Sequence, residues 1–191
     1  MFAEGPVSGL VVLVHGATGG VGSIATQLAR RDGATVVGVV RNEGQLARAR
    51  QLGAHHVFLN EQPSLAERIR EVAPGGVHRM AEVDFAAHID LDTEVLAIGG
   101  AINSFSTAAD RPAIPYWGLG FKDTTLRLLG SDDFPAATKA EAARALTGAL
   151  LDASLRSQIA ARFPLDEIAD AHELVERGAP GRVLIAVTQA G

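Results

Sequence analysis

The 191 residues predict a doubly wound α/β domain built on a parallel sheet, with a C-terminal strand–helix–strand appendage. Three observations predict it. Short β-branched runs alternate with segments of helical period over residues 1–107. The connections between them are short and polar, so the strands are joined by crossovers and run parallel. A glycine-rich turn separates the first apolar run from the first amphipathic segment, the start of a right-handed crossover unit.

Residues 10–15 are a nearly unbroken apolar run, read as a strand buried on both faces. Val21, Ile24, Ala25 and Leu28 then recur at helical spacing, and Asp32-Gly33 supplies a C-cap signal. Residues 35–40 are a second strand, 43–52 a helix closed by Gly53, and 56–60 a third strand. Ser64 is expected to cap a helix to about Val72, with Glu67 at capping-box spacing. Residues 77–84 read as a weaker fourth strand, in which His78 and Arg79 either face solvent or mark a distortion. Gly99-Gly100 turns the chain into a fifth strand at 101–106. Residues 110–120 read as a long loop or short irregular helix, and 124–129 as a sixth strand. Residues 135–151 predict a long helix with Ala140, Ala143, Leu146 and Leu150 on its apolar stripe, capped by Asp132-Asp133. The appendage is a strand at 159–163, a helix from Asp166 to Arg177 ended by Gly178, and a strand at 183–187. The expected division is a main doubly wound domain at 1–154 and the appendage at 155–191.

Composition narrows the function. A chain that is 47% hydrophobic and 20% charged has the balance of a globular protein. A net charge of −5 and a pI near 5.6 imply no basic surface, which argues against nucleic acid. With no cysteine, disulfides, iron–sulfur clusters and thiolate zinc sites are excluded from these residues. No apolar run approaches membrane-spanning length. The N-terminal residues lack the basic start and cleavage site of a signal peptide, so the expected location is cytoplasmic.

The chemistry lies in His15-Gly16-Ala17-Thr18-Gly19-Gly20-Val21-Gly22. A helix N-terminus offers unpaired N–H groups and the positive end of a dipole, and a pyrophosphate needs the backbone close. Gly19 and Gly20 permit that approach, while Gly22 permits close packing of helix on strand. Thr18 to Gly22 is therefore the predicted pyrophosphate loop of a Rossmann-type domain, although Ala17 replaces the first glycine of the strict fingerprint. No Gly-Lys-Ser/Thr follows, so a P-loop is excluded. Tyr116 is the sole tyrosine and Gly120 stands four residues on, so a short-chain dehydrogenase with a Tyr-x-x-x-Lys pair is excluded as well. At the end of the second strand, where an acidic residue would accept from a ribose 2′-hydroxyl, the chain has Arg41-Asn42. Arginine suits a 2′-phosphate, so NADP(H) is predicted over NAD. His55 and His56 point to opposite faces of a strand and cannot share a metal ion. Glu82, Asp84, Asp90, Asp92 and Glu94 read as capping and solvated-loop residues.

Residues 12–23, with Gln27-Leu28-Ala29-Arg30, Leu52-Gly53-Ala54, Ile98-Gly99-Gly100 and Ile114-Pro115-Tyr116-Trp117, resemble the zinc-independent quinone oxidoreductases of the medium-chain dehydrogenase/reductase superfamily. So does the tail from Phe163-Pro164-Leu165 through Ala171-His172 to Gly181-Arg182-Val183-Leu184. The resemblance implies hydride transfer from NADPH to a quinone or enone, without metal. It implies a homodimer paired through the sixth strand; Tyr116 and Trp117 read as lining either a substrate site or that dimer contact, with the contact favoured. It also implies that Ser106 lies near the coenzyme, that backbone at Leu129-Gly130-Ser131 approaches the nicotinamide, and that an N-terminal domain absent from these residues closes the substrate cleft. No catalytic side chain is assigned. The alternative is a non-catalytic NADP(H) sensor or scaffold.

Overall fold

A computed structural model describes residues 2–130 and 134–187. Its main sheet has six parallel strands in the order β3-β2-β1-β4-β5-β6. They are β1 (Val11–His15), β2 (Thr35–Val40), β3 (His56–Leu59), β4 (Val77–Glu82), β5 (Leu96–Ser104) and β6 (Thr125–Leu128). β1 is followed on one side by β2 and on the other by β4, so the winding reverses between β1 and β4. The predicted doubly wound fold is therefore present.

Helices cover both faces. α1 (Gly22–Arg31) and α2 (Leu46–Gln51) enclose one core layer with Val12, Val14, Val36 and Val40. α3 (Leu65–Val72) and α4 (Phe85–Val95) enclose the other with Leu13, Val37, Met80 and Ile102. Alternate residues of β1 enter opposite layers, which is why its run is apolar throughout. α5 (Tyr116–Gly120) is the short helix allowed for in 110–120. Among the described residues, no helix is long and apolar enough to cross a membrane.

Several local expectations are corrected. The buried stripe of α1 is Gly22, Ala25, Thr26 and Ala29, while Val21 is exposed and Ile24 and Leu28 are half-buried. Small residues face the sheet because the helix packs so close to it. Ser64 does not cap α3; its φ of 55° is left-handed and its hydroxyl makes no cap bond. Asp166 lies in a 3-10 turn before α7 (Ile168–Glu176), which likewise has no side-chain cap. β5 begins at Leu96, before Gly99-Gly100 rather than after it, and the β4–β5 register shifts between Val77 and Arg79. That shift is the distortion allowed for at His78 and Arg79. The His78 ring accepts a bond from the Val11 N–H (3.1 Å), and Arg79 lies beside Glu4.

α6 (Ala136–Leu151) has the predicted length, but its stripe is not covered. Ala140, Ala143 and Leu150 are exposed and Leu146 is half-buried; Ala149 is the buried residue. Asp132-Asp133 lie outside the described residues. The appendage forms a separate two-stranded parallel sheet, β7 (Ile159–Pro164) with β8 (Arg182–Ala186), joined by α7.

Candidate functional site

The glycine loop leaves the carboxyl end of β1. Gly16 adopts φ +61°, a conformation that favours glycine. The Gly19 N–H then closes a turn on the Gly16 carbonyl at 2.8 Å. Ala17 is buried; its N–H donates to Val39 O at 3.1 Å and fastens the loop to β2. α1 starts at Gly22, pressed against this turn. A Cβ on Gly22 would overlap the Gly16 carbonyl oxygen and stand 2.8 Å from its carbon and 3.2 Å from Ala17 Cα. Gly20 is the opposite case, since a Cβ there would meet nothing within 4 Å.

The Gly20, Val21 and Gly22 N–H groups make no hydrogen bond among the described residues. Thr18 is half-buried; Gly19, Gly20 and Val21 are exposed. The loop is thus an open cradle of unsatisfied donors at the positive end of α1, the chemistry an anionic phosphate needs.

Arg41 and Asn42 follow β2 directly, at the same carboxyl edge of the sheet, and both are exposed. The Arg41 N–H donates to Gln45 Oε1 (3.1 Å), which ties down the backbone below the guanidinium. Ser106 lies two residues past the end of β5 and is exposed; its carbonyl accepts from the Phe85 N–H at 3.1 Å and from Ser104 Oγ at 3.2 Å. The fold therefore carries Thr18 to Gly22, Arg41, Asn42 and Ser106 on one edge, across the point where the winding reverses. Ligands of open α/β sheets bind at that edge. Leu129 is held by its N–H on Ser104 O (2.9 Å), and Ser131 lies outside the described residues.

His55 is engaged within the fold rather than offered to a metal. Its Nδ1 accepts from the Val36 N–H at 2.9 Å, and Arg30 lies against Nε2.

The acidic stretch was misread. Glu82 and Asp92 are fully buried, not solvated, because His15 stands between them. His15 Nε2 lies 2.7 Å from Asp92 Oδ1 and 3.3 Å from Glu82 Oε2. The His88 ring stacks on His15 at 4.1 Å with planes 7° apart, and its Nδ1 lies 2.9 Å from Glu82 Oε1. Glu82 Oε1 also accepts the Asp84 N–H. Burial alone would lower the His15 pKa, but the Asp92 and Glu82 carboxylates outweigh it and raise it. Burial likewise works to raise the Glu82 carboxyl, but the bond from His88 and the nearby His15 hold it below its ordinary value. Asp92 is raised, chiefly by burial, and its Oδ1 is within hydrogen-bond distance of His15 Nε2. A histidine closing an otherwise apolar strand was the available signal, since a buried polar side chain must find a partner.

His15, Glu82 and His88 bring ligand atoms within 4.8 Å of one another. They do not fit a metal ion in this arrangement. An imidazole lone pair lies in the plane of its ring, and two stacked rings 4.1 Å apart aim theirs along parallel planes instead of at one point.

Fold, loop and carboxyl-edge residues together define a dinucleotide-binding domain of the dehydrogenase kind. Residues 20–148 match the family model described as zinc-binding dehydrogenase, and the chain belongs to that family. It is 29% identical over 185 residues to a quinone oxidoreductase of Sus scrofa, covering 93% of this chain and 55% of that protein. The solved structure of a 2-haloacrylate reductase superposes with a TM-score of 0.86 at 27% identity, covering 98% of this chain and 61% of that one. A mycobacterial protein solved in complex with NADPH superposes at 0.84 with 26% identity, covering 97% of this chain and 59% of that one. The resemblance read from the loop and tail residues is borne out. The chain spans about half the length of the curated relatives it matches.

Proposed function

We infer that the chain is the coenzyme-binding part of an NADPH-dependent oxidoreductase that reduces a quinone or enone. The observation that carries the reading is the set of unbonded N–H groups at Gly20, Val21 and Gly22, the first two on exposed residues, with Arg41 at the same carboxyl edge of the sheet. In this reading, Thr18 to Gly22 hold the pyrophosphate, Arg41 and Asn42 face the 2′-phosphate, and Ser106 lies toward the nicotinamide. The coenzyme supplies the hydride, and the protein binds and orients it. That division of labour is why no catalytic side chain is assigned.

Chemistry without metal is part of the proposal. It is supported by the absence of cysteine and by the stacked geometry of His15 and His88. A homodimer through β6 is also proposed. β6 is an edge strand with Leu128 71% exposed, and Tyr116, Trp117 and Phe121 stand exposed nearby; proteins usually cover such edges. The division at residues 154/155 is supported by the change from the six-stranded to the two-stranded sheet. Closure of the substrate cleft by a further domain is supported by the resemblance and by the half of the relatives' length that this chain does not match. The cysteine-free composition suits the proposed cytoplasmic location.

Titration calorimetry with NADPH tests binding, and steady-state NADPH oxidation with a benzoquinone tests turnover. We expect micromolar binding and quinone reduction barely above the uncatalysed rate for these 191 residues alone. A turnover of about 1–10³ s⁻¹, ordinary for an enzyme, would show that they suffice for catalysis. The second reading, an NADP(H) sensor without turnover, is favoured by the same half-length match. Quinone reduction that stays absent when a cleft-closing domain is supplied would select it.

A further inference from the structure

The buried cluster of His15, Glu82, His88 and Asp92 has no part in the coenzyme contacts above, yet it lies against the root of the glycine loop. His15 is the last residue of β1, and Gly16 is the first residue of the turn. The cluster also has an outlet. His88 is partly exposed and lines a groove of about 510 Å³ between α3 and α4, together with Asn60, Ser64, Glu67, Asp90 and Glu94. The chain of contacts is continuous from this groove through His88 and Glu82 to His15 and Asp92.

The charge count is uneven. Two carboxylates and two imidazoles carry −2 with no added proton. Both the His15 and the Asp92 pKa are raised, which favours one proton on that pair and leaves −1. His15 Nδ1, Asp92 Oδ2 and Glu82 Oε2 are buried without a hydrogen-bond partner, so the cluster is not a closed, fully satisfied network. The surrounding charges keep it electron-rich. Asp84 stands at the end of β4, Asp90 and Glu94 lie on α4, and Glu67 faces them from α3. Lys122 Nζ is occupied by the Thr93, Glu94 and Leu96 carbonyls, and Arg70 is paired with Glu94. A negative buried cluster beside a loop that receives an anion opposes binding, and proton uptake relieves that opposition.

We propose that an anionic dinucleotide arriving at the glycine loop draws one further proton into this cluster, entering through His88 from the α3–α4 groove. This rests on the coenzyme reading above and adds proton linkage to it. The His88 Nδ1–H is committed to Glu82 Oε1, so the incoming proton takes the other ring nitrogen. Buffer acid gives it up, and no other bond changes. By reciprocity, lower pH tightens coenzyme binding. His88 is then a positioning residue acting through Glu82 and His15, and it touches no coenzyme.

Calorimetric titration of the 191-residue chain with NADPH in HEPES, imidazole and Tris at pH 7.5 counts the protons, because the heats differ by the buffers' ionisation enthalpies. We expect proton uptake of up to one per coenzyme in the wild type, with affinity weakening by up to about tenfold per unit rise in pH. His88→Gln should still bind NADPH but lose both the uptake and the pH slope. Titration of the coenzyme's own phosphate is common to both proteins and cancels in the comparison. Wild-type binding without proton uptake, after subtraction of the 2′-phosphate's share obtained from the same titration with NADH, overturns the linkage and leaves the coenzyme reading standing, and this result needs no variant to fold. Equal uptake in His88→Gln overturns the route through His88. Absence of NADPH binding overturns the coenzyme reading and the linkage with it.

Discussion

Replacing Gly22 by alanine tests the loop geometry most directly. The added Cβ would overlap the Gly16 carbonyl oxygen and approach two further backbone atoms, at 2.8 Å and 3.2 Å. Backbone cannot rotate aside as a side chain can, so α1 must lift from the turn or the turn must open. Overpacking of this kind costs about 1–3 kcal/mol. Alanine's helix preference returns at most about 1 kcal/mol, and the steric term wins because the neighbours are backbone. With the upper end of that range less the helix offset, about 2 kcal/mol remains, and for a chain of this length each kcal/mol moves the melting temperature by about 2–4 °C, so we expect a fall of about 4–8 °C. Gly20→Ala is the internal control. Its Cβ meets nothing within 4 Å, and it should melt within about 2 °C of wild type. Scanning calorimetry without coenzyme measures both. A Gly22→Ala protein that melts with the wild type would refute the close packing of α1 on the Gly16 turn.

Gly20→Val should also melt normally, but its branched side chain fills the cradle; undiminished NADPH affinity by calorimetry would sink the loop assignment. Arg41→Ala should weaken NADPH by about ten- to a hundredfold and leave NADH nearly unchanged, the effect of one charge-assisted hydrogen bond; equal losses would remove Arg41 from 2′-phosphate recognition. Leu128→Lys places a charge on the exposed β6 edge, whereas Leu126 packs on the core; the light-scattering mass should fall from dimer to monomer, and a monomeric wild type would reject edge pairing. The raised His15 pKa contributes stability that is full below the ordinary 6.5 and is lost as pH rises through the folded value. The lowered Glu82 pKa contributes stability that is full above the ordinary 4.5 and is lost as pH falls through the folded value. Melting temperature should therefore decline as pH rises above 6.5, and it should decline again in acid. His15→Asn, which strands two buried carboxylates, should lose about 3–5 kcal/mol and flatten the alkaline decline; a pH profile unchanged from wild type would show that His15 does not titrate with folding.

The sheet was legible because its signals are local. β1 and β2 are apolar on both faces, and the loop glycines sit between a strand and a helix that both announce themselves. α4 was not legible. Its buried face includes Asp92 and Thr93 beside Phe85 and Ile89, and acidic residues are so seldom buried that they read as surface. The partner that makes their burial tolerable, His15, is 77 residues away from Asp92. The α6 stripe failed for the opposite reason: its helical period was read correctly, but periodicity cannot say whether a covering surface exists. Ser64 carried the residue types of a cap while its backbone took the left-handed conformation, which no spacing rule reveals. Arg41 and Ser106 lie at the carboxyl edge because parallel topology carries the strand ends there.

The passage from α4 into β5 has no loop: Val95 ends the helix and Leu96 begins the strand. A helix C-terminus normally leaves carbonyls for solvent or a glycine cap. Here Lys122 Nζ donates to the carbonyls of Thr93 (2.6 Å), Glu94 (3.0 Å) and Leu96 (2.7 Å). One ammonium thus secures a joint made 26 to 29 residues earlier. During synthesis, the first four strands and α4 can emerge while this joint still lacks its fastening. The start of β5 is therefore fastened by the segment that leads from α5 into its neighbour β6. Because the chain has only two lysines, neutralising Lys122 leaves no nearby ammonium to take its place at those three acceptors.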